Sequence, residues 1–176
     1  MYQIKPLGVV LPKDTNDVLS LMEYSQKNSV PLLARGGGSS QCGQTVGESV
    51  VLDYSKHQNK ILELNVEEKY VWVQPGVVLD HLNAYLKPHG LWFPVDVSTS
   101  SRATIGGMSA NNSCGSRSLY YGNMVHNVLA IEAILDDGSI FNFDQINKNY
   151  LATKNNQDRL YKIIDKFIDV RTVSYT

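Results

Sequence analysis

The sequence predicts an α+β fold of two lobes: a small parallel α/β lobe, and a second lobe of mainly antiparallel strands with flanking helices. In residues 1–57, strand patterns alternate with a helix pattern and a glycine loop, which is typical of parallel strands joined by crossovers. In residues 58–145, strand patterns follow one another more closely, and Asp137-Gly138 is a strong signal for a two-residue hairpin turn. We therefore expect one domain over residues 1–145, followed by a linker from about residue 146.

The first lobe is predicted to contain three strands and one helix. The strands are expected at residues 7–11, 30–34 and 50–52, which are short apolar runs bounded by Pro or polar residues. Asp14 or Thr15 can begin the helix by accepting hydrogen bonds from its free N–H groups. The core-facing side of this helix follows i, i+3, i+4, i+7 spacing and consists of Val18, Leu21, Met22 and Ser25.

The second lobe is predicted to contain two hairpins and an amphipathic helix. Strands are expected at residues 61–64 and 70–73, and the apolar spacing over residues 78–86 predicts a helix. Further strands are expected at residues 128–135 and 139–143, on either side of the Asp-Gly turn. The tail that follows is polar and rich in lysine, with one more helix expected around residues 159–168.

The composition excludes several classes of partner. Hydrophobic residues make up 43% of the chain, charged residues 19%, and the net charge is −1, so we expect a globular protein that binds neither nucleic acid nor an acidic membrane. No apolar run approaches 18 residues and the first residues lack a signal-peptide pattern, so no transmembrane segment is expected. Two distant cysteines and four scattered histidines predict no disulfide framework and no metal site, which favours the cytoplasm.

The first glycine loop, RGGGSSQCGQ, directly follows a predicted strand. Glycines allow the backbone to approach a ligand closely, and successive exposed N–H groups can form a nest for an anion. A P-loop is excluded because Gln44 stands where its lysine should be, and a Rossmann fingerprint is excluded because its third glycine would fall at Gln41. A flexible surface turn is the alternative interpretation of three glycines alone.

The second glycine loop runs from residue 98 to residue 122 and is rich in Ser, Gly and Asn. A loop of this length without regular structure is functional or disordered. Disorder is disfavoured because Ile105, Met108, Leu119 and two tyrosines supply groups to bury. Two such loops between two lobes suggest a large ligand with two ends, gripped through main-chain amides of both loops.

Four motifs occur in an order that resembles a known family: RGGGSSQCGQ, VQPGV, FPVDVSTSSRATIGGMSANNSCGSRSLYYG and NVLAIEAILDDG. The chain resembles the FAD-binding (PCMH-type) domain of the vanillyl-alcohol-oxidase flavoproteins. It is most similar to the D-lactate/glycolate dehydrogenase branch of FAD-linked oxidases. The resemblance covers residues 5–143.

The resemblance implies a set of FAD-binding residues. The first loop would wrap the pyrophosphate, the residues around TIGG would follow the cofactor towards its ring, and the NNSCG segment would run beside the flavin. A turn near the adenine end and two hairpin residues would complete the set. The expected contacts are Gly36, Gly37, Gly38, Ser39, Ser40, Gly43, Gln44, Pro75, Gly76, Asp96, Ser98, Thr104, Gly106, Gly107, Asn111, Asn112, Ser113, Gly115, Tyr121, Gly122, Val128 and Ile131.

The resemblance also implies a chemistry. Members of the family oxidise a hydroxyl-bearing carbon by hydride transfer to FAD, and this branch implies a D-2-hydroxy acid such as lactate or glycolate, with an unknown electron acceptor. Members with covalent FAD carry a histidine directly after the glycine triplet, and this chain has Ser39, which favours non-covalent FAD. A peripheral position at the membrane, through the electron acceptor, is the alternative to a freely cytoplasmic protein.

In this family the substrate-binding and catalytic residues lie in a C-terminal cap domain. We expect residues 146–176 to be the linker and the start of that domain, whose remainder is missing from this sequence, so the catalytic residues stay unknown. The alternatives are a truncated or degenerate FAD-binding module without its own catalysis, and an enzyme of the same fold with the enolpyruvyl-reducing chemistry of cell-wall synthesis.

Four residues near these motifs have simpler interpretations. We expect Arg35 to anchor the first loop, and Cys114 to be a small buried residue and not a redox group. Tyr121 is interpreted as packing or contacting the flavin edge, and His126 as a surface or loop histidine.

Overall fold

The computed structural model describes residues 3–143. The helix expected around residues 159–168, and the linker expected over residues 146–176, lie outside the described residues. The chain divides into two compact units, one holding residues up to Val128 together with Ile134–Ile140, the other beginning with Leu129–Ala133 and resuming at Phe141. The predicted domain boundaries stay a prediction.

The first lobe is a three-stranded parallel sheet with one helix. It consists of β1 (Gly8–Val10), α1 (Thr15–Asn28), β2 (Leu32–Arg35) and β3 (Val50–Asp53). The strand order is β1-β3-β2, and both pairings are parallel, which confirms the predicted parallel lobe. The β2 strand starts and ends later than predicted, and delivers the chain directly into the first glycine loop.

The start of α1 is fixed by Asp14 and not by Thr15. The Asp14 carboxylate accepts hydrogen bonds from Asn16 N at 2.8 Å and from Asp17 N at 3.1 Å, which pairs two amides that the helix itself leaves free. The helix ends at Ser29, which adopts a left-handed conformation with φ of 53°. Of the predicted core face, Val18 is buried, while the other three residues are half-buried.

The second lobe is built on an antiparallel hairpin covered by a helix. It contains β4 (Ile61–Asn65), β5 (Tyr70–Val73) and α2 (Leu79–Leu86), followed by a short 3-10 turn (Lys87–His89). Two buried residues of α2, together with Val77 two positions before the helix, pack on the apolar side chains of the hairpin. This cluster comprises Val77, Leu82 and Leu86, with Ile61, Leu64, Val71, Val73, Leu91, Phe93 and Ile105 packed against it.

Short helices interrupt the segment that was predicted to lack regular structure. They are α3 (Ile105–Ala110), α4 (Ser118–Tyr121) and, just after the loop, α5 (Met124–Asn127). The prediction was wrong because segments of four to six residues are too short to show a helical period, and such helices depend on tertiary contacts. A second core cluster includes residues of α3 and α5 and comprises Leu79, Val95, Ala103, Met108 and Met124.

The last described strands form the predicted hairpin. They are β6 (Ile131–Ile134) and β7 (Ile140–Phe143), which are hydrogen-bonded neighbours and shorter than expected. The predicted two-residue turn is wrong: Leu135 N donates to Ser139 O at 2.8 Å and Gly138 N donates to Leu135 O at 2.9 Å, so three residues, 136–138, form the loop. Gly138 adopts a φ of 81° at its last position, as is typical of three-residue hairpin loops. Over residues 3–143, no helix is long and apolar enough to cross a membrane.

Candidate functional site

The first glycine loop presents a run of unpaired amides. Residues 36–40 are half-buried, and the loop continues through turns, without a helix, until β3. Among the described residues, the backbone N–H groups of residues 36–44 donate to no protein acceptor. Partly buried amides are normally paired, so these groups are available to the oxygen atoms of an anionic ligand.

The two glycine loops touch each other at residues without side chains. A Cβ on Gly36 would overlap the Thr104 side chain, and a Cβ on Gly37 would overlap the Arg102 carbonyl. Glycine is therefore required at both positions by the approach of the second loop. The structure thus brings together two of the predicted site segments, residues 36–40 and the start of the TIGG motif.

Thr104 lies where these segments meet, and it is 1% exposed. The backbone of Thr104 pairs with that of Val78 in an antiparallel bridge. The neighbouring Ile105 N donates to Val77 O at 2.8 Å. The Thr104 hydroxyl begins α3 by accepting a hydrogen bond from Gly107 N at 3.3 Å. The position of the first loop is therefore set by a residue that is itself fixed in the second lobe.

The predicted turn at Pro75 and Gly76 belongs to the same arrangement. Pro75 O accepts from Gly106 N at 2.9 Å, and Gly76 N donates to Gln58 O at 2.7 Å. Tyr54 borders this turn, since a Cβ on Gly76 would overlap its carbonyl. Burial raises the pKa of Tyr54 above its usual value of 10.0.

The amides of the second loop differ from those of the first. Those of residues 105–108 all donate within the protein, to carbonyls or to the Thr104 hydroxyl. Further along, Ser113 N donates to Met108 O at 2.9 Å and Gly115 N to Ser118 Oγ at 2.9 Å. The expectation that amides of both loops grip a diphosphate therefore has its support in the first loop, while the TIGG segment serves as its scaffold.

Asp96 is engaged with the chain twenty residues later. Its carboxylate accepts from Ser116 Oγ at 2.6 Å and from Arg117 N at 3.0 Å. The hydrogen bond from Ser116, followed by that from the Arg117 amide, holds the pKa of Asp96 below its usual value of 3.8. The carboxylate is therefore ionised at neutral pH and occupied by this segment.

The remaining predicted site residues occupy several places. Asn112 has a φ of 45°, and its side-chain oxygen accepts from Val125 N at 3.0 Å, which ties the NNSCG segment to α5. Ser40 donates to the Gln44 side chain within the first loop. Val128 packs on the second core cluster, whereas Ile131 is exposed on β6. The half-buried or exposed remainder consists of Ser39, Gly43, Ser98, Asn111, Gly122 and Tyr121.

Four residues outside the predicted set complete the description. The Arg35 guanidinium lies against Gly38, where a Cβ would overlap it, in agreement with a loop anchor. Cys114 is exposed in the irregular segment between α3 and α4, so the expectation of a buried residue is wrong. His126 is exposed and its Nδ1 accepts from Asn123 N at 3.1 Å at the start of α5. Trp92, which no motif indicated, contacts Tyr121 edge-on at 5.1 Å between ring centroids.

Comparison with known proteins identifies the family to which the chain belongs. A family model described as "FAD binding domain" matches residues 6–144. D-2-hydroxyglutarate dehydrogenase of Haemophilus influenzae is 41% identical over 150 residues, which are 84% of this chain and 15% of that protein. The mitochondrial cytochrome-type D-lactate dehydrogenase of Kluyveromyces lactis is 40% identical over 140 residues, covering 77% of this chain and 24% of that protein. The chain thus spans a quarter or less of the length of these two relatives.

Solved structures show the same fold. 6-Hydroxy-D-nicotine oxidase from Arthrobacter nicotinovorans superposes with a TM-score of 0.74 at 18% identity, over 85% of this chain and 32% of that one. An alkyldihydroxyacetonephosphate synthase superposes with a TM-score of 0.69 at 25% identity, over 81% of this chain and 26% of that one. The predicted two-lobed α+β fold of the PCMH type is confirmed. The chain belongs to the family of FAD-binding domains of this type, and FAD is its cofactor.

Proposed function

We propose that this chain is the FAD-binding part of a flavin-dependent dehydrogenase or oxidase that acts on a D-2-hydroxy acid such as lactate or glycolate. The observation that carries the proposal is the run of unpaired amides at residues 36–44, of which residues 36–40 are half-buried, with Gly36 against the buried Thr104. The curated relatives are named for D-2-hydroxyglutarate, D-lactate and glycolate, all of which are 2-hydroxy acids. When bound, FAD supplies the hydride acceptor for such an oxidation.

The role proposed for the chain itself is to bind and orient. The amides of the first loop donate hydrogen bonds to the pyrophosphate, an arrangement that needs no excess of lysine. Gly36 and Gly37 allow this loop to lie directly on Thr104 and Arg102, so its amides are ordered before the cofactor arrives. A preordered loop loses less conformational entropy on binding, which favours affinity.

The test is FAD binding by the purified chain, and by two alanine variants. We expect the chain to take up FAD, seen as visible absorbance after gel filtration. Gly37→Ala should bind FAD about tenfold more weakly or worse, because the new Cβ overlaps the Arg102 carbonyl and separates the loops. Gly8→Ala is the matched control, because nothing lies within 4 Å of a Cβ at that position.

The outcomes are distinguishable. Circular dichroism of each variant separates a loss of fold from a loss of cofactor. A wild-type chain that stays colourless after incubation with FAD contradicts the proposal, as does a folded Gly37→Ala variant with unchanged affinity. Because Ser39 follows the glycine triplet, we also propose non-covalent FAD, so acid precipitation should release all of the flavin into the supernatant.

The free cysteines bear on the cellular compartment of the protein. Cys42 and Cys114 are both free thiols, which is typical of a reducing compartment, and we propose the cytoplasm. Association with a membrane would then arise through an electron acceptor. Fractionation of cells that produce the protein tests this, and recovery from the periplasm or an organelle lumen would contradict it.

A further inference from the structure

The segment from Gly115 to Tyr121, called here the 115–121 segment, carries two of the predicted site residues, Gly115 and Tyr121, and has little buried surface. Leu119 is fully exposed, at 101%, and Tyr120 is 85% exposed. Apolar burial of these two side chains therefore cannot fix the position of the segment. Hydrogen bonds and contacts with aromatic rings must therefore fix the position of this segment.

The carboxylate of Asp96 supplies the polar contacts. Its Oδ2 accepts from the Ser116 hydroxyl at 2.6 Å, and its Oδ1 accepts from Arg117 N at 3.0 Å. Hydrogen bonds to an ionised acceptor are stronger than neutral ones. Both bonds span about twenty residues of sequence, so they fix a tertiary arrangement and not a local turn.

The surroundings of Asp96 add three further contacts. Gly115 lies so close to the Asp96 carbonyl that a Cβ would overlap it. The Arg117 guanidinium carbon lies 5.0 Å from the ring centroid of Trp92, and Tyr121 meets the same ring edge-on. The 115–121 segment is thus held at several points along its length by residues 92–96.

The holding residues are themselves anchored. Val95, between Trp92 and Asp96, is 0% exposed and packs in the core cluster with Met108 of α3 and Met124 of α5. The Phe93 amide donates to Asn83 of α2 at 2.7 Å. The Asp96 carboxylate therefore projects from a rigid base towards a segment that has little support of its own.

We propose that Asp96 is a positioning residue: its carboxylate holds the 115–121 segment in the arrangement that FAD binding requires, without contacting FAD itself. The inference rests on the proposed function, since it concerns the same cofactor. It differs from the expectation of a direct cofactor contact in one respect that can be measured. A positioning carboxylate acts through Ser116 and Arg117, so its effect must depend on them.

The first experiment is a double-mutant cycle on the dissociation constant for FAD, measured by fluorescence titration of the full chain. Asp96→Ala should weaken FAD binding by about fivefold, and Ser116→Ala by about twofold, since both bonds compete with water. In the Asp96→Ala background, Ser116→Ala should have no further effect. Asp96→Asn should recover part of the affinity, because its side-chain oxygen can still accept from Arg117 N.

Ser55→Ala is the matched control. The Ser55 hydroxyl donates to Asp53 at 2.6 Å, the same kind of bond at the same length, but outside the 115–121 segment. Its affinity for FAD should equal that of the wild type. The inference is overturned if Ser116→Ala leaves the affinity unchanged while Asp96→Ala lowers it, or if the two effects multiply. It is equally overturned if Asp96→Ala lowers the unfolding midpoint but leaves the affinity for FAD unchanged.

The second experiment needs no FAD. Hydrogen–deuterium exchange of the cofactor-free chain should be faster over residues 115–122 in Asp96→Ala than in the wild type, and unchanged in Ser55→Ala. Equal exchange in Asp96→Ala and the wild type would overturn the inference. A wild-type chain that takes up no FAD would instead refute the proposed function, while the exchange data still decide whether Asp96 holds the segment.

Discussion

Three glycines near the site are required by the protein itself, and not by space for a ligand. Gly36 and Gly37 lie against the second loop, and Gly115 lies against the Asp96 carbonyl. Sequence reasoning could predict that glycines in these loops permit a close approach. It could not predict what approaches, because the contacts join residues more than fifteen positions apart. What the first loop offers to a ligand is the run of unpaired amides at residues 36–44.

Asp96 makes a prediction about acid stability. Its pKa in the folded protein is below 3.8, so its contribution to stability is fully present above that value and is lost as the pH falls through the lower, folded pKa. Asp96→Asn should therefore be less stable than the wild type at neutral pH, and the difference should narrow in acid. Thermal unfolding midpoints measured from about pH 7 to about pH 3 check this.

Glu67→Gln provides the comparison for that experiment. Glu67 is exposed and makes no hydrogen bond within the described residues, so its replacement should leave the pH profile close to that of the wild type. A constant difference between Asp96→Asn and the wild type over the whole pH range would show that the Asp96 carboxylate gains nothing from Ser116 and Arg117.

At the scale of secondary structure, elements with a clear period could be predicted and short ones could not. The spacing over residues 78–86 gave α2 to within one residue, and the apolar run at 70–73 matches β5. By contrast, α3, α4 and α5 span four to six residues each, less than two turns. Such helices are set by partners elsewhere in the chain, as Thr104 shows for α3 through its pairing with Val78.

The start of α1 permits a direct test of one local signal. Asp14→Ala removes the acceptor for two helix amides and should lower the free energy of unfolding by about 1 kcal/mol. Asp14→Asn should cost far less, because an asparagine oxygen accepts the same bonds. Urea denaturation followed by circular dichroism measures both. Equal losses in the two variants would show that the charge, and not the hydrogen bonds, stabilises the helix.

At the scale of the whole molecule, the family and the cofactor followed from the order of four motifs, while the arrangement of the site did not. The motifs identified the residues that lie near one another, such as Gly36 and Thr104. They did not reveal that the amides of residues 105–108 donate to acceptors within the protein, or that Trp92 and Asp96 support the 115–121 segment. These features depend on tertiary contacts that no local pattern encodes.

The coverage of the relatives makes a prediction about turnover. The matched region is 15% of one relative and 24% of another, so residues outside it are available to bind substrate there. We expect the 176-residue chain, loaded with FAD, not to oxidise D-lactate, glycolate or D-2-hydroxyglutarate. The assay follows bleaching of the flavin absorbance without oxygen, with a full-length relative as the positive control. Robust bleaching would show that this chain alone holds a complete substrate site.

The order of strands in the parallel sheet has a consequence for synthesis on the ribosome. Of the three strands of this sheet, the middle one, β3, is the last in sequence, and within residues 3–143 β1 and β2 pair with β3 and not with each other. Until residue 53 has left the exit tunnel, β1 and β2 lack their partner strand, so their backbone hydrogen-bonding edges are open. The glycine loop between β2 and β3 is also not yet held at its C-terminal end, because β3 has not paired. The nascent chain is therefore most exposed to mispairing early, and an early pause in translation should prolong that exposure.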